Sequence, residues 1–431
     1  MADRSNVRSI NPVTALETNP WNLHTLQVDF REDQRWLGFL SSHPEGSVYH
    51  HPGYLAALEK EYGRRCIALA CEGPDGKFQA ILPLLSTQGL PWKIHRNHVG
   101  PRLSSLPRTP LGGPLANNRD ALKAIVESAI ALVQTGNGQQ LEIKTMIDDL
   151  DQLVPSLHRC VWRDTYMRGL PSNRALEEDL CETPELLAAC DGVCSKCRRL
   201  KFGNSSQNHK IKWAVEKALN LGVRVYAAEG DADLRKWYPL YLEVMRRNGV
   251  LPRPLRFFQA LRRELGQADA FTLYLAEMPV ERPKVLGSVH QTGPGSRITD
   301  KPLARLVNGS ILLHYGHTTF WAFTGSSEHA MRSHANDLGL LECLRASCRQ
   351  RSRSFDFGEV AENHPPLAQF KAKWGTIRKP IYRYYFPAPD DTTDAAIGGG
   401  SEFVRHISSL VWRHLPLPVI AVLGDRINSF L

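Results

Sequence analysis

One ordered series of local signals occurs twice in this chain, about 200 residues apart, and that repetition restricts the fold more than any other feature. In the first half a helix-like run, Pro52 to Gly63, precedes an apolar run from Cys66 to Cys71, a Gly-Pro-Asp-Gly turn at 73–76 and a second apolar run from Phe78 to Leu85. Two apolar runs separated by turn residues predict a hairpin. An apolar-periodic helix over Asp120 to Gln134, a strand at Leu141 to Met146, a short helix at Leu150 to Leu157 and a strand at Val161 to Met167 follow. The second half repeats the order: a helix at Leu255 to Gly266, a hairpin of Phe271 to Glu277 with Val285 to Gln291, and a strand region at Ile311 to Phe323. A helix at Ala335 to Gln350, a strand at Ser354 to Phe357, a helix at Pro366 to Trp374 and a strand at Ile381 to Phe386 complete it.

Strands alternating with helices after a leading hairpin imply an α/β protein, a mixed sheet covered by helices on both faces and built by duplication. At 431 residues the chain exceeds the size at which one core stops growing, so two domains are expected. Their boundaries fall at 20–175 and 223–386. Residues 176–222 form a basic helical connector, and 387–431 form a Pro, Asp, Thr and Gly-rich linker with an amphipathic tail. That tail either packs back on the second domain or lies on a membrane surface through Val411, Trp412 and Ile420.

Charge narrows the partners. The formal net charge is +9, and the stretch Lys196 to Arg224 carries eight basic residues against one acid, Glu216. Such a field concentrates phosphates and acidic lipids. No apolar run of membrane-spanning length and no signal peptide is present in the sequence, so a cytoplasmic location is expected. Neither a G-x-S-x-G elbow, nor a phosphate loop ending in Gly-Lys-Ser/Thr, nor a His-Glu-x-x-His pair occurs, which removes the common hydrolase, NTPase and metalloprotease readings.

Five segments in fixed order carry a family resemblance: Trp237 to Gly249, Arg256 to Phe258, Phe355 to Gly358, Phe370 to Gly375 and Tyr382 to Tyr385. Tyr49 to Leu55 and Leu82 to Leu84 match its opening. Over roughly residues 20 to 386 the chain resembles the Fem-type aminoacyltransferases of the GNAT superfamily. The resemblance implies two tandem GNAT-like domains, each a mixed, mostly antiparallel sheet covered by helices. It also implies transfer of an acyl or aminoacyl group to an amine of a cell-envelope precursor, peptide or polysaccharide intermediate, with no tightly bound cofactor. The donor is aminoacyl-tRNA or acyl-coenzyme A. An ordinary GNAT domain grips the coenzyme A pyrophosphate with a glycine loop at a helix N-terminus. The equivalent place here, Arg332 to Leu338, has no glycine, and a Cβ obstructs the approach of phosphate to backbone. Aminoacyl-tRNA is therefore the favoured donor, with an acyl-coenzyme A-dependent N-acyltransferase as the alternative and an RNA- or membrane-associated GNAT-like scaffold as the non-enzyme one. Lys196, Arg198, Arg199, Lys201, Lys210 and Lys212 are the candidate tRNA contacts.

Acyl transfer to an amine needs a group that takes a proton. Asp356 is the first candidate base and Glu359 the second, because a strand ending in glycine puts both near the carboxyl edge where α/β sites cluster. The other reading of Asp356 is a loop cap. Lys371 and Lys373 point to different faces of a helix, while Lys371 and Trp374 share one and suit a phosphate or sugar. Tyr315, Tyr382, Tyr384, Arg332 and Asn336 complete the substrate-binding candidates, the tyrosines being equally compatible with ordinary sheet packing. Cys181, Cys190, Cys194 and Cys197 have spacings compatible with structural zinc or, for the last three, an iron–sulfur site, but unliganded thiols fit as well and no metal is expected.

Overall fold

The computed structural model describes residues 23–89, 101–137, 140–170, 202–280, 303–362, 364–389 and 412–428. The first half runs β1 (His24–Val28), α1 (Gln34–Ser42), α2 (Pro52–Tyr62), β2 (Ile67–Glu72), β3 (Phe78–Thr87), β4 (Arg102–Ser104), β5 (Leu115–Ala116), α3 (Arg119–Leu132), β6 (Gln140–Thr145), α4 (Leu150–Leu153) and β7 (His158–Gly169). The second runs α5 (Ser205–Asn220), β8 (Arg224–Ala227), α6 (Asp231–Asn248), α7 (Leu255–Gly266), β9 (Phe271–Pro279), β10 (Ala304–Tyr315), β11 (Thr318–Ser326), α8 (Glu328–Arg332), α9 (Ala335–Arg349), β12 (Ser354–Val360), α10 (Pro365–Ala372) and β13 (Ile377–Phe386), with α11 (Leu417–Asn428) after it. Leaving aside β5, α5 and α8, both halves follow one order: strand, two helices, three strands, helix, strand, helix, strand.

Thirteen strands form one sheet in the order β1-β2-β3-β4-β6-β13-β7-β12-β11-β10-β9-β8, with β5 beside β3. This order is a palindrome around β13 and β7. The last strand of the second half pairs antiparallel with β6 of the first, and the last strand of the first pairs antiparallel with β12 of the second. The two then pair with each other. The halves have exchanged their final strands, so each completes the other's sheet.

In both halves the fourth and fifth strands are parallel and pair over only three residues, Arg102–Ser104 with Gln140–Glu142 and Thr318–Phe320 with Ser354–Asp356. Beyond Phe320, β11 continues to Ser326 while β12 continues to Val360 without bonding to it, so the sheet opens into a fork there. The hairpin expected from Phe271 to Glu277 with Val285 to Gln291 is corrected: β9 pairs with β10, residues 304–315, and 285–291 lies outside the described residues. The single strand region expected at Ile311 to Phe323 is in fact the β10–β11 hairpin, which turns at Gly316, φ +54°, a conformation glycine adopts without steric cost.

Helices α1, α2, α6 and α7 cover one face of the sheet over a single cluster drawn from both halves, including Trp36, Tyr54, Trp237, Phe257 and Phe258. On the opposite face α3 covers the first half and α5, α9 and α10 cover the second, in separate clusters. The shared face joins the halves through helices as well as strands. There α2 lies so close to α7 that a Cβ on Gly53 would stand 2.9 Å from Leu265. Beside them Arg253 and Glu61, both buried, form an ion pair from opposite halves, and Arg253 Nη2 donates to the Arg108 carbonyl at 2.7 Å. The tail packs back: Ile420 is fully buried and Trp412 rests on the shared cluster, while Val411 lies outside the described residues. No described helix is long and apolar enough to cross a membrane.

Exchange makes the halves fold as one unit, and Tyr384 tests this. Its ring is fully buried in the first half's cluster and its hydroxyl donates to the Ile147 carbonyl at 2.9 Å, although it belongs to the second half's strand. Tyr384→Ala is expected to cost about 3–5 kcal/mol, as large aromatic truncations do, and to lower one cooperative melt seen identically by far-UV and tryptophan signals. Two separated transitions, only one of them shifted, would contradict the exchange.

Candidate functional site

Strand register sorts the candidate residues by face. Asp356 lies opposite Phe320 on β11 and Met167 on β7, and Phe320 belongs to the cluster shared by both halves. A bulge in β12 between Asp356 and Glu359 then places Glu359 opposite Thr165. On β7, Arg163, Thr165 and Met167 alternate onto that same face. Pairing of β13 with β6 puts Arg383 opposite Lys144 and Tyr385 opposite Glu142, while Tyr384 pairs with the apolar Ile143 on the other side. Four central strands therefore present one polar floor: Glu142 and Lys144 on β6, Arg383 on β13, Arg163 and Thr165 on β7, Asp356 and Glu359 on β12. Its centre is the exchanged pair.

Asp356 is only 4% exposed. Its Oδ1 accepts from Thr165 Oγ1 at 2.6 Å and from the Gly358 N–H at 2.7 Å. Burial raises its carboxyl above the ordinary 3.8, against the lowering effect of those hydrogen bonds and of Lys371. Both hydrogen bonds fall on Oδ1, so Oδ2 is the oxygen left to meet an incoming N–H. Gly358 makes this arrangement: at φ +78° it takes a conformation that costs a residue with a side chain, and its bulge turns the 358 and 359 carbonyls toward α10. Lys371 reaches them from α10, its Nζ donating to Gly358 O at 2.9 Å and Glu359 O at 3.1 Å. Burial lowers this ammonium to about 8, with Asp356 and Glu359 resisting the shift. Lys371 approaches from the face opposite the floor, where Phe370 and Trp374 pack, and so acts on Asp356 by holding the bulge. Glu359 is paired with Arg163 at 2.7 Å.

The first half repeats this centre with different chemistry. Glu142 occupies on β6 the place that Asp356 occupies on β12, the third residue of the short parallel pairing. Burial works against its ionisation, but Lys144, Arg383, Arg102 and the Ser104 hydroxyl outweigh it and hold the carboxyl at about 2. Lys144, 3% exposed, donates from Nζ to Leu106 O at 3.1 Å, and burial lowers it to about 8 despite Glu142. Between the two centres the Trp162 ring lies under both Arg383, 3.3 Å from its centroid, and Arg163, 4.4 Å. Above Asp356 and Glu359, the buried Tyr49 hydroxyl is raised by burial, by Tyr54 and by those two carboxylates. His50 Nε2 bonds to Gly113 O at 2.8 Å and burial lowers it to about 4, which keeps it a neutral tie between two loops. So many ionisable groups on one largely buried sheet face must be paired or shifted in pKa, and such a cluster is where a candidate site is sought.

The remaining sequence candidates scatter. Trp374 is fully buried against Phe202, and Tyr384 is fully buried; both lie on the face away from the floor with Tyr382, over which Arg159 stacks. Tyr315 sits at the closed end of the β11–β12 pairing, its hydroxyl 3.3 Å from Ser41 Oγ. Asn336 Oδ1 accepts from Asn308 and from Ser326, both at 2.8 Å, inside the β10–β11–α9 junction, and Arg332 is exposed at the end of α8. Lys210 and Lys212 are exposed on α5, whereas Lys196, Arg198, Arg199, Lys201 and the four cysteines Cys181, Cys190, Cys194 and Cys197 lie outside the described residues. Arg163, Thr165, Glu142, Lys144 and Arg383 were not singled out from sequence. Aligning the repeats, Leu141 to Lys144 against Phe355 to Gly358, is the signal that reveals the first-half acid.

No family model and no curated protein matches the sequence. Solved structures match by fold. FemX has a TM-score of 0.57 at 16% identity, over 84% of this chain and 98% of that chain. L-PGS from Bacillus licheniformis has a TM-score of 0.50 at 9% identity, over 85% and 96%. The chain has the Fem-type fold that its motifs resemble.

The Glu142 carboxyl lies at about 2 in the folded chain against 4.5 when free. This difference corresponds to about 3 kcal/mol of stability, present above pH 4.5 and lost as pH falls toward 2. Glu142→Gln is expected to destabilise by about 3 kcal/mol at pH 7 and by clearly less at pH 3, measured by urea unfolding. An equal loss at both pH values would mean that the charge of Glu142 contributes nothing.

Proposed function

We propose that this chain is an acyltransferase that moves an acyl or aminoacyl group from an activated ester or thioester to an amine, with Asp356 as the proton acceptor. What carries the reading is Asp356 itself: a buried carboxyl with a raised pKa and one open oxygen, at the point where β11 and β12 part. The amine nitrogen attacks the donor carbonyl, forming the C–N bond as the C–O or C–S bond breaks. Its surplus proton passes to Asp356 Oδ2 and from there to the leaving oxygen or sulfur. A carboxyl raised above the ordinary range is the better base for this task.

Aminoacyl-tRNA is the donor we favour. Where an ordinary GNAT domain grips pyrophosphate with glycines, His334 stands at φ +57° before α9, and Asp337 puts a carboxylate in the first turn of that helix. Asp337 is ion-paired with Lys373 and lies 3.7 Å from His334. An anion already occupies the end of the helix dipole, which disfavours a second one. The acceptor in this reading is an amine of a cell-envelope precursor, peptide or polysaccharide intermediate, and an aminoacyl-tRNA donor confines the reaction to the cytoplasm.

Asp356→Asn is expected to slow transfer by about 10²- to 10⁴-fold, the usual share of a general base, while the donor still raises the melting temperature. Stabilisation by acyl-coenzyme A and none by aminoacyl-tRNA would reverse the donor assignment. Lys371→Met removes a cation that lowers the Asp356 carboxyl, so the acidic limb of the pH–rate profile should move to higher pH. A purely structural role for Lys371 would lower the melting temperature and leave that limb in place.

A further inference from the structure

Helix α5 has one face that its own fold does not explain. A capping box of Asn204 and Gln207 starts the helix, and Ile211, Ala214, Val215 and Ala218 bury its inner side. On the outer side Lys210, Trp213 and Lys217 follow at spacings of three and four and therefore share one face. Lys212 points elsewhere, with Glu216. Trp213 is 51% exposed and is the only aromatic among the large exposed apolar side chains of the described residues. Lys217 Nζ lies 5.0 Å from its ring centroid, and the His334 ring meets it edge-on at 5.1 Å. His334 is the residue that precedes α9, and the exposed Arg332 stands two residues before it.

We propose that the Lys210–Trp213–Lys217 face seats the single-stranded 3′ end of the donor RNA, with a base stacked on Trp213 and the two lysines on flanking phosphates. This rests on the aminoacyl-tRNA reading above. An exposed ring between cations is the arrangement by which proteins hold unpaired nucleotides, since every base has a face to stack and every nucleotide a phosphate. A stripe two helical turns long, about 10 Å, fits a strand passing along the helix better than a lone pyrophosphate, and the neighbouring helix end already holds Asp337. Lys196 to Lys201 precede this helix in sequence and extend the same basic run. His334, which meets the Trp213 ring, precedes α9, the helix that follows β11 and α8 at the open end of the fork.

The test uses the full chain and a labelled single-stranded RNA of about 12 nucleotides ending in CCA, within the range that such grooves hold. Trp213→Ala should weaken binding about 5- to 150-fold, the equivalent of one lost stack, with the salt dependence unchanged, and Trp213→Phe should lose less. The double change Lys210→Ala and Lys217→Ala should flatten the slope of log affinity against log salt by about 1.4. All three positions are exposed, so the melting temperature should hold. If RNA binds and Trp213→Ala retains the parental affinity, this face is wrong, while aminoacyl-tRNA turnover and its loss in Asp356→Asn keep the donor reading. If no RNA binds and acyl-coenzyme A stabilises the wild type but not Trp213→Ala, the face seats coenzyme A and both proposals fall.

Discussion

β7 and β13 lie antiparallel at the middle of the sheet, and each is bonded on its far side to the fifth strand of the other half. Neither half can complete its own sheet. This reciprocal pairing fixes the relation between the repeats more firmly than surface contact would, because a shift of one residue in either strand would turn its apolar side chains onto the polar face. The buried Arg253–Glu61 pair and the close passage of α2 over α7 work in the same direction, since both join opposite halves on one side of the sheet. Removing Glu61 would take the carboxylate from the buried Arg253, and removing Arg253 would leave Glu61 with only the longer contact to Arg108 at 4.0 Å.

The polar floor depends on this pairing because it exists only where strands of the two halves are interleaved. Arg383 belongs to the second half and neutralises Glu142 of the first, while Arg163 belongs to the first and neutralises Glu359 of the second. Each half thus supplies the countercharge for the other's acid. The equivalent acids then diverge in character. Glu142 is held strongly ionised among cations, whereas Asp356, with hydroxyl and amide donors and a lysine behind the bulge, is raised by burial. Two equivalent positions thus hold acids of opposite tendency, one kept ionised by neighbouring cations and one raised by burial.

The fork between β11 and β12 shapes the other end of the second half's sheet. Parallel strands that cease to bond after three pairs leave unpartnered edges, and α8 and α9 close around the outer end. The residues there, Asn308, Ser326 and Asn336, bond to one another. They build the junction. What faces outward is Trp213 with its lysines, on a helix that belongs to the connector between the halves.

Much of the architecture could be read from the sequence: the two repeats, their order of helices and strands and the α/β class all follow from local periodicity and turn chemistry, which are properties of neighbouring residues. The placing of Asp356 and Glu359 on a strand interrupted by glycine was legible for the same reason. The pairing of β9 with β10 across an intervening stretch was not, because strand partners are chosen by the sheet and a strand's own sequence does not name its partner. Nor could the sequence tell Tyr384 from Arg383 and Tyr385 as floor residues: successive residues of a strand face opposite ways, and which way is inward depends on the partner strand. The exchange of β7 and β13 lies furthest from the sequence. Either half's final strand has the same pattern whether it returns to its own sheet or crosses to the other, and only the three-dimensional closure of both cores, with Arg383 reaching Glu142 and Arg163 reaching Glu359, decides it.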